Sequence, residues 1–366
     1  MTLDLDPADL SRAVGRRVTS YDVQPIDPHL RIHSVTGGVY RISGDGFSLV
    51  VKVVRHGEDG TPDGLWLAGA EPEHRNYWKR EWLAFDTGLL DSLPGRLRAP
   101  RSRLTTTHDD GDCWIWMEDV GGRTGTALTL DDYARVGHDL GTTQGAYAAG
   151  AAELPDAPWL SRSWLRGWVG ACEAMGDAIS DDPGWRNSPI AFMSGLRDRA
   201  AEIWARREEL LAVVETAPPT VAHYDFWPAN VFVGDGGTVA IDWSQIGIGG
   251  LAQDLDQMTL DAVWMLVRPD TDPRRLERLV LGGYAAGLRE AGVSVDDATL
   301  WQWYAAAASV RYVPLLGGQV RTAADPAAVA TQERRFGRPY PDIAAAKFSA
   351  LTRAVELGEQ ALRGGT

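Results

Sequence analysis

The chain has little cysteine, two residues in 366, and no uninterrupted apolar run long enough to cross a bilayer. Cys113 lies in a strand-like apolar run and Cys172 in a helical one. A reducing compartment is therefore expected, with neither a disulfide framework nor a metal cluster. The segment Met1 to Pro7 has no basic stretch leading into an apolar core, so a cytoplasmic location is expected in place of secretion or membrane insertion. Positive charge is in deficit. There are 36 Lys and Arg against 50 Asp and Glu, a formal net charge of -14, which disfavours nucleic acid and anionic membrane as partners. Histidine stops early: the seven residues end at His223. The pair His223-x-Asp225 thus has no later histidine to complete a two-histidine, one-carboxylate iron site. No G-x-x-x-x-G-K-S/T sequence occurs, which excludes a P-loop. Internal repeats, low-complexity tracts and heptads are missing too.

What remains is an ordinary globular composition, 44% hydrophobic and 23% charged, on a chain long enough for a large core and two domains. Its organising stretch is Val221-Ala-His-Tyr-Asp-Phe-Trp-Pro-Ala-Asn-Val-Phe-Val233, followed by Thr238-Val-Ala-Ile-Asp-Trp243. The pattern predicts a loop, a strand, a tight turn at Gly234 to Gly237 and a returning strand. That hairpin gathers Asp225, Asn230 and Asp242 around one small volume. An Asp and an Asn near a turn ordinarily serve only their own backbone. The ordered set is more specific: a carboxylate to accept a hydroxyl proton, then an amide and a carboxylate as oxygen ligands for magnesium, is what phosphoryl transfer needs.

The spacing H-x-D-x-x-x-x-N with a later Asp resembles the catalytic loop of kinases. In detail it is similar to the aminoglycoside phosphotransferase and choline kinase family, whose loop reads H-G-D-x-x-P-x-N and whose second Asp sits in I-D-W. His223, Asp225, Pro228, Asn230, Ile241, Asp242 and Trp243 match. Tyr224 and Ala229 stand where that family usually has glycine, departures that bear on loop backbone geometry and on no reacting group.

The resemblance implies an α+β, two-lobed, protein-kinase-like fold. A small sheet lobe spans residues 1–118 and a mainly helical lobe residues 119–366, with ATP and magnesium in the cleft. In these roles Asp225 is the base, His223 braces the loop, and Asn230 and Asp242 are the metal ligands. Lys52, inside the Val-rich run Leu49 to Val54, steadies the nucleotide phosphates and pairs with Glu81, with Glu73 as the alternative partner. Thr36-Gly37-Gly38 is read as a turn whose Gly37 and Gly38 cover the phosphates. Met117, Glu118 and Val120 line the hinge against adenine. In that family a G-D-P-x-x-D-L pattern is usual after the second Asp. Here only Asp254-Leu255 persists, and Asp254 is expected to orient the catalytic loop or to cap a helix. The acceptor is a small-molecule hydroxyl (aminoglycoside, other antibiotic, amino alcohol or sugar), bound by a monomer or homodimer. A non-catalytic nucleotide-binding regulatory module is the alternative. It is disfavoured because base, metal Asp and Lys are all present. Protein kinase activity is disfavoured because no D-F-G or A-P-E follows Asp242.

Periodicity and stop signals predict further elements. A helix is expected over 7–15 and a strand from Arg31, then a loop from Gly57 to Gly64. A helix follows over 72–90, with Trp78, Trp82, Phe85 and Leu89 on one face. Helices are also expected from Thr129 or Asp131 to Ala148, and over 159–179, 191–214, 273–291, 296–316 and 340–363. Gly247 to Gly250 reads as a loop. Trp264, Trp301, Trp303, Tyr304, Arg311 and Tyr312 are core by spacing, whereas the resemblance would put the acceptor pocket partly among them.

Overall fold

The computed structural model describes residues 3, 5–26, 35–57, 65–181, 183–185 and 189–364. Helix α1 (Pro7–Val14) leads into strands β1 (Asp22–Pro25), β2 (Thr36–Gly44) and β3 (Phe47–Val54). Helix α2 (Arg80–Asp86) and strands β4 (Leu97–Arg98), β5 (Ser102–Thr107) and β6 (Cys113–Glu118) follow. Next come helices α3 (Leu130–Ala148), α4 (Trp164–Ala171), α5 (Glu173–Asp181), α6 (Arg197–Ala205) and α7 (Arg207–Val214). Four short strands, β7 (Pro219–Ala222), β8 (Val231–Gly234), β9 (Gly237–Ala240) and β10 (Gly247–Gly250), interrupt the helices. The chain ends in α8 (Ala262–Trp264), α9 (Pro273–Glu290), α10 (Asp297–Ala324), α11 (Pro326–Phe336) and α12 (Tyr340–Gly364). A small antiparallel-sheet region and a larger helical region give the expected two-lobed arrangement.

The five-stranded sheet has the order β1-β2-β3-β6-β5. Its two faces follow the period of two along each strand. Leu49, Val51 and Val53 of β3, with Trp114 and Trp116 of β6, join Leu10 and Ala13 of α1 in one small core. Cys113, Ile115, Met117 and Val54 point the other way, into the main core shared with α2 and the helical region. Lys52 pairs with Ile115 across the strands, so strand alternation turns its ammonium toward that inner face.

Helices α3 and α9 cross at very close range. A methyl group on Gly137 or Gly141 of α3 would strike the Val280 or Tyr284 carbonyl, and one on Gly283 or Gly287 of α9 would strike Ala134 or His138. Glycine on both partners permits this approach, which side chains of ordinary size would hold at 8–10 Å. The crossing sets Tyr284 beside Gln144, with the hydroxyl 2.6 Å from Oε1.

Several elements depart from expectation. Thr36-Gly37-Gly38 is the start of β2, with a register irregularity against β3, and no turn. The strand expected from Arg31 lies, as far as residue 34, outside the described residues, as do 58–64 of the expected loop. The helix over 72–90 shrinks to Arg80–Asp86. The fully buried Arg80 draws the carbonyls of Pro72, His74 and Arg75, with that of Trp159, onto its guanidinium, so the preceding segment folds as turns around a cation. The helix over 159–179 reduces to α4 and α5, which meet at Cys172, and the one over 191–214 is split at Arg206. Gly247 to Gly250 is strand β10, paired with β7. Helix α10 runs on to Ala324 with Pro314 inside it, and α11 was not anticipated. By contrast α1, α9 and α12 match closely. Helix α3 starts on Thr129, whose hydroxyl accepts from the Asp132 amide while Asp132 accepts from the Thr129 amide. That is a reciprocal capping box.

Candidate active site

Strand β7 delivers His223, Tyr224 and Asp225 to a loop that turns through Pro228 to Asn230 into the hairpin β8–β9. The hairpin closes at Gly234 to Gly237, as the Gly-Asp-Gly-Gly sequence dictates. Its return strand releases Asp242 with φ of 60°, in the left-handed region. Six residues predicted from sequence converge here: Lys52, Glu81, His223, Asp225, Asn230 and Asp242. Lys52 Nζ lies 2.5 Å from Glu81 Oε2 and 2.7 Å from Asp242 Oδ1. The first of these residues comes from β3, the second from α2 and the third from the end of the hairpin. Glu81 also accepts from the Trp243 amide at 3.1 Å, tying α2 to the segment that carries Asp242. Glu73 is exposed and takes no part.

Burial governs the charges. Lys52 and Glu81 are almost inaccessible, whereas the Asp242 side chain is 36% exposed. Desolvation works against the Lys52 ammonium, but Asp242 and Glu81 outweigh it and hold the group well above its ordinary value. Burial pushes the Glu81 carboxyl up, opposed by Lys52.

Asp225 is raised well above its ordinary value by burial, and further by the charges of Asp242 and Asp261. Asn230 holds it: Nδ2 donates to Asp225 Oδ2 at 2.7 Å and to the Asp225 main-chain oxygen at 2.9 Å. The amide nitrogen is thus engaged, and the amide oxygen, an acceptor, is the remaining polar atom of that side chain. Asn230 Oδ1 and the Asp242 carboxylate are hard oxygen donors of the kind a magnesium ion takes. Among the described residues no cluster of three His, Cys, Asp or Glu side chains forms a metal site of its own.

His223 is 1% exposed. Its Nε2 faces the Ile241 carbonyl at 3.0 Å and must donate, while Nδ1 accepts from the Asp225 amide at 3.2 Å. Both bonds require the neutral Nε2–H tautomer, and burial pulls its pKa down to about 4. His223 therefore ties the start of the catalytic loop to the residue before Asp242.

Tyr224 occupies φ of 63°, the conformation that glycine adopts without strain. A tyrosine persists there because several contacts hold it. Its amide donates to Asp254 Oδ1 at 2.7 Å and the His223 amide to Oδ2 at 3.0 Å. Its ring stacks on Trp164 at 5.0 Å, and its hydroxyl lies 3.1 Å from Gln253 Oε1. Any side chain at Gly249 would collide with that hydroxyl. Asp254 is thus the orienter of the loop, held in turn by Gln144 at 2.8 Å. Gln144 and Tyr284 were not foreseen. Their partners lie 110 and 140 residues away, and no local pattern marks them. Buried Arg311 pairs with Asp256 at 2.9 Å and donates to the Tyr224 carbonyl at 3.3 Å, bracing the loop from beneath.

The expected nucleotide contacts are placed as follows. Gly37 packs against Arg55 and Gly38 against the Tyr40 ring, in strand β2 and not in a loop. Met117 is a buried residue of β6. Glu118 is already occupied: its amide donates to the Arg101 carbonyl and its carboxylate pairs with Arg98 at 2.7 Å. Val120 is half-buried, two residues past the end of β6. Trp303, Tyr304, Arg311 and Tyr312 are core residues.

The fold is shared with solved structures at low identity. A spectinomycin phosphotransferase, crystallised with ADP and spectinomycin, is 15% identical with a TM-score of 0.52, over 88% of this chain and 92% of that one. A choline kinase from Cryptosporidium parvum Iowa II is 12% identical with a TM-score of 0.54, over 94% and 91%. An aminoglycoside phosphotransferase from Alicyclobacillus acidocaldarius is 14% identical with a TM-score of 0.53, over 97% and 98%. Among curated proteins no sequence matches. The model of the phosphotransferase enzyme family matches residues 35–293, and the chain belongs to that family.

Proposed function

We propose that this protein transfers the γ-phosphoryl group of ATP, with magnesium, to a hydroxyl of a small molecule. The observation that carries the reading is the meeting of Lys52, from β3, with both Glu81 and Asp242 at 2.5 and 2.7 Å, beside the Asp225–Asn230 pair. In this reading Asp225 orients the acceptor hydroxyl and takes its proton as the phosphorus–oxygen bond forms. Lys52, fixed by Glu81, neutralises the nucleotide phosphates. Asn230 Oδ1 and the Asp242 carboxylate would hold magnesium, which supplies charge that offsets the carboxylates and phosphates together. His223, neutral, keeps the loop in register. The main chain of Val120 receives the adenine edge, and residues 118 and 119 mark the boundary between the lobes. Positioning and charge neutralisation carry the rate, because the transition state is loose.

The acceptor classes to be tried are aminoglycosides, other hydroxylated antibiotics, amino alcohols and sugars. The test is ATP consumption with magnesium across such a panel, with wild type and Asp225→Ala side by side. An acceptor-dependent signal that disappears in the variant supports the reading. A signal equal in both proteins, or no binding of ATP, overturns it.

A further inference from the structure

The chain that leaves Asp242 is fastened at three points to the segment that carries Glu81. The first is the Trp243 amide, which donates to Glu81 itself at 3.1 Å. The second is Gln245, whose Nε2 donates to Asn76 Oδ1 at 3.2 Å. The third runs through residues 159–161. There the Ile248 amide donates to the Ser161 carbonyl at 2.7 Å, and Arg80 Nε donates to the Trp159 carbonyl at 2.9 Å. A methyl group on Gly247 would strike the Ser161 carbonyl, so this joint admits no larger residue. Arg80 also gathers the carbonyls of Pro72, His74 and Arg75, which binds residues 72–76 and the start of α2 into one body.

Gln245 and Asn76 are both buried, and their partners leave each amide a single orientation. Asn76 Nδ2 donates to the Leu65 and Leu67 carbonyls at 3.0 and 3.2 Å. Only the amide nitrogen can serve two carbonyls, so Asn76 presents its oxygen to Gln245. On the far side the Trp164 indole nitrogen of α4, which can only donate, lies 2.6 Å from Gln245 Oε1. Gln245 must therefore turn its oxygen to Trp164 and its nitrogen to Asn76. Trp164 is the ring that stacks on Tyr224 at 5.0 Å. One carboxamide thus joins the chain after Asp242, the segment before α2 and the helix on which the catalytic loop packs. A buried polar chain with every member satisfied holds its elements rigidly.

Resting on the phosphotransferase reading above, we infer that Gln245 is a positioning residue for phosphoryl transfer: through Asn76 it sets where Glu81 stands relative to Asp242, and through Glu81 where the Lys52 ammonium stands. The ammonium lies between two carboxylates, at 2.5 and 2.7 Å, so the spacing of those carboxylates decides its place. Glu81 comes from α2 and Asp242 from the end of the hairpin, 161 residues on, and the Gln245–Asn76 bond is a side-chain link between the two segments. With that link cut, Glu81 shifts, and Lys52 follows Asp242 away from the phosphates. The loss falls on the transition state, where a fixed counter-charge counts most.

The experiment is steady-state ATP consumption with magnesium, with water as acceptor and with any acceptor from the panel above that gives a signal. The proteins are wild type, Gln245→Met, Gln245→Glu, Glu81→Gln and the double variant Glu81→Gln with Gln245→Met. Gln245→Met fills the space without either hydrogen bond. Gln245→Glu keeps an acceptor for Trp164 and, as a carboxylate, loses the donor to Asn76. Two substitutions are used so that a folding failure of one leaves the other to decide. Each should lower kcat about tenfold, the scale on which partners behind a contact residue act, with KM for ATP within about threefold of wild type. In the Glu81→Gln background Gln245→Met should cost less than about twofold more, because the group it positions is already disabled. A loss from general loosening would recur there at full size. The inference is overturned by that full recurrence, by a loss confined to KM, or by an unchanged kcat in the Gln245 variants. Absence of turnover by wild type with water and with every panel acceptor would instead sink the phosphotransferase reading.

Discussion

Asp254 holds Tyr224 in a left-handed backbone conformation. The carboxylate accepts both the His223 and Tyr224 amides, at 3.0 and 2.7 Å, and so fixes the two residues immediately before Asp225. A tyrosine at φ of 63° costs about 1–2 kcal/mol relative to glycine. The stacking on Trp164 and the hydrogen bonds of the hydroxyl offset that cost. Tyr224→Phe should keep the ring and lose only the hydroxyl contacts, lowering stability by about 1 kcal/mol with kcat within about threefold of wild type. Tyr224→Gly relieves the strain but empties a fully buried ring site, and should lose about 2 kcal/mol or more. Urea denaturation of the two variants reads both numbers, and a Tyr224→Gly protein more stable than wild type would refute the offset.

The His223 imidazole gives a pH dependence with a definite sign. Its pKa is lowered from 6.5 to about 4, so between those values the unfolded chain binds the proton and the folded one does not. The contribution to stability is complete above pH 6.5 and is lost as pH falls toward 4. It amounts to about 3 kcal/mol by pH 4. Burial chiefly drives the shift downward, with Lys52 adding to it, and Asp242 opposes it. His223→Gln should flatten the stability profile by close to one proton across this window. An identical slope in wild type and variant, measured by urea denaturation from pH 4 to 7, would show that His223 is not held neutral.

How legible this was depended on sequence distance. The residues of the hairpin are neighbours in the chain, so their type, order and turn chemistry could be read directly, and strand alternation alone turned Lys52 inward. Glu81 was separable from Glu73 only once α2 had proved to begin at Arg80. The overlong helix at 72–90 has a physical cause in Arg80, whose demand for carbonyls cannot be seen in an apolar periodicity. Gln144, Tyr284 and the glycines that let α3 and α9 touch lie on different helices, and only the tertiary crossing brings them behind Asp254. Gly37 and Gly38 read as a turn because two glycines after a Thr usually make one; pairing with β3 overrode that preference.

Glu81 holds Lys52 with one oxygen and the Trp243 amide with the other. Glu81→Gln preserves the shape but keeps an acceptor for only one of the two donors, because its amide nitrogen cannot accept from Lys52 or Trp243. It also removes the charge that fixes the ammonium. Lys52 would then lean on Asp242 alone, in competition with a metal ion. Activity should fall about 100-fold, chiefly in kcat, the scale of losing one preorganised electrostatic contact. Steady-state kinetics over ATP and magnesium concentration provide the check. A loss that excess magnesium fully restores would place Glu81 outside Lys52 positioning.

The last prediction separates a working site from an ornamental one. Burial first, and then the charges of Asp242 and Asp261, raise Asp225 well above its ordinary value. A stability-driven arrangement would not bury a carboxylate on which two others act unfavourably. Asp225→Asn removes one charge and keeps a side chain that can still hydrogen-bond Asn230. The folded protein should therefore be as stable as wild type or more so, by about 1 kcal/mol, the usual scale of a stability–activity trade-off. Phosphoryl transfer should fall by about 1,000-fold or more once the proton acceptor is gone. Parallel urea titrations and ATP-consumption assays decide it. A variant that is both active and less stable would make Asp225 a structural residue and leave the reaction without its base.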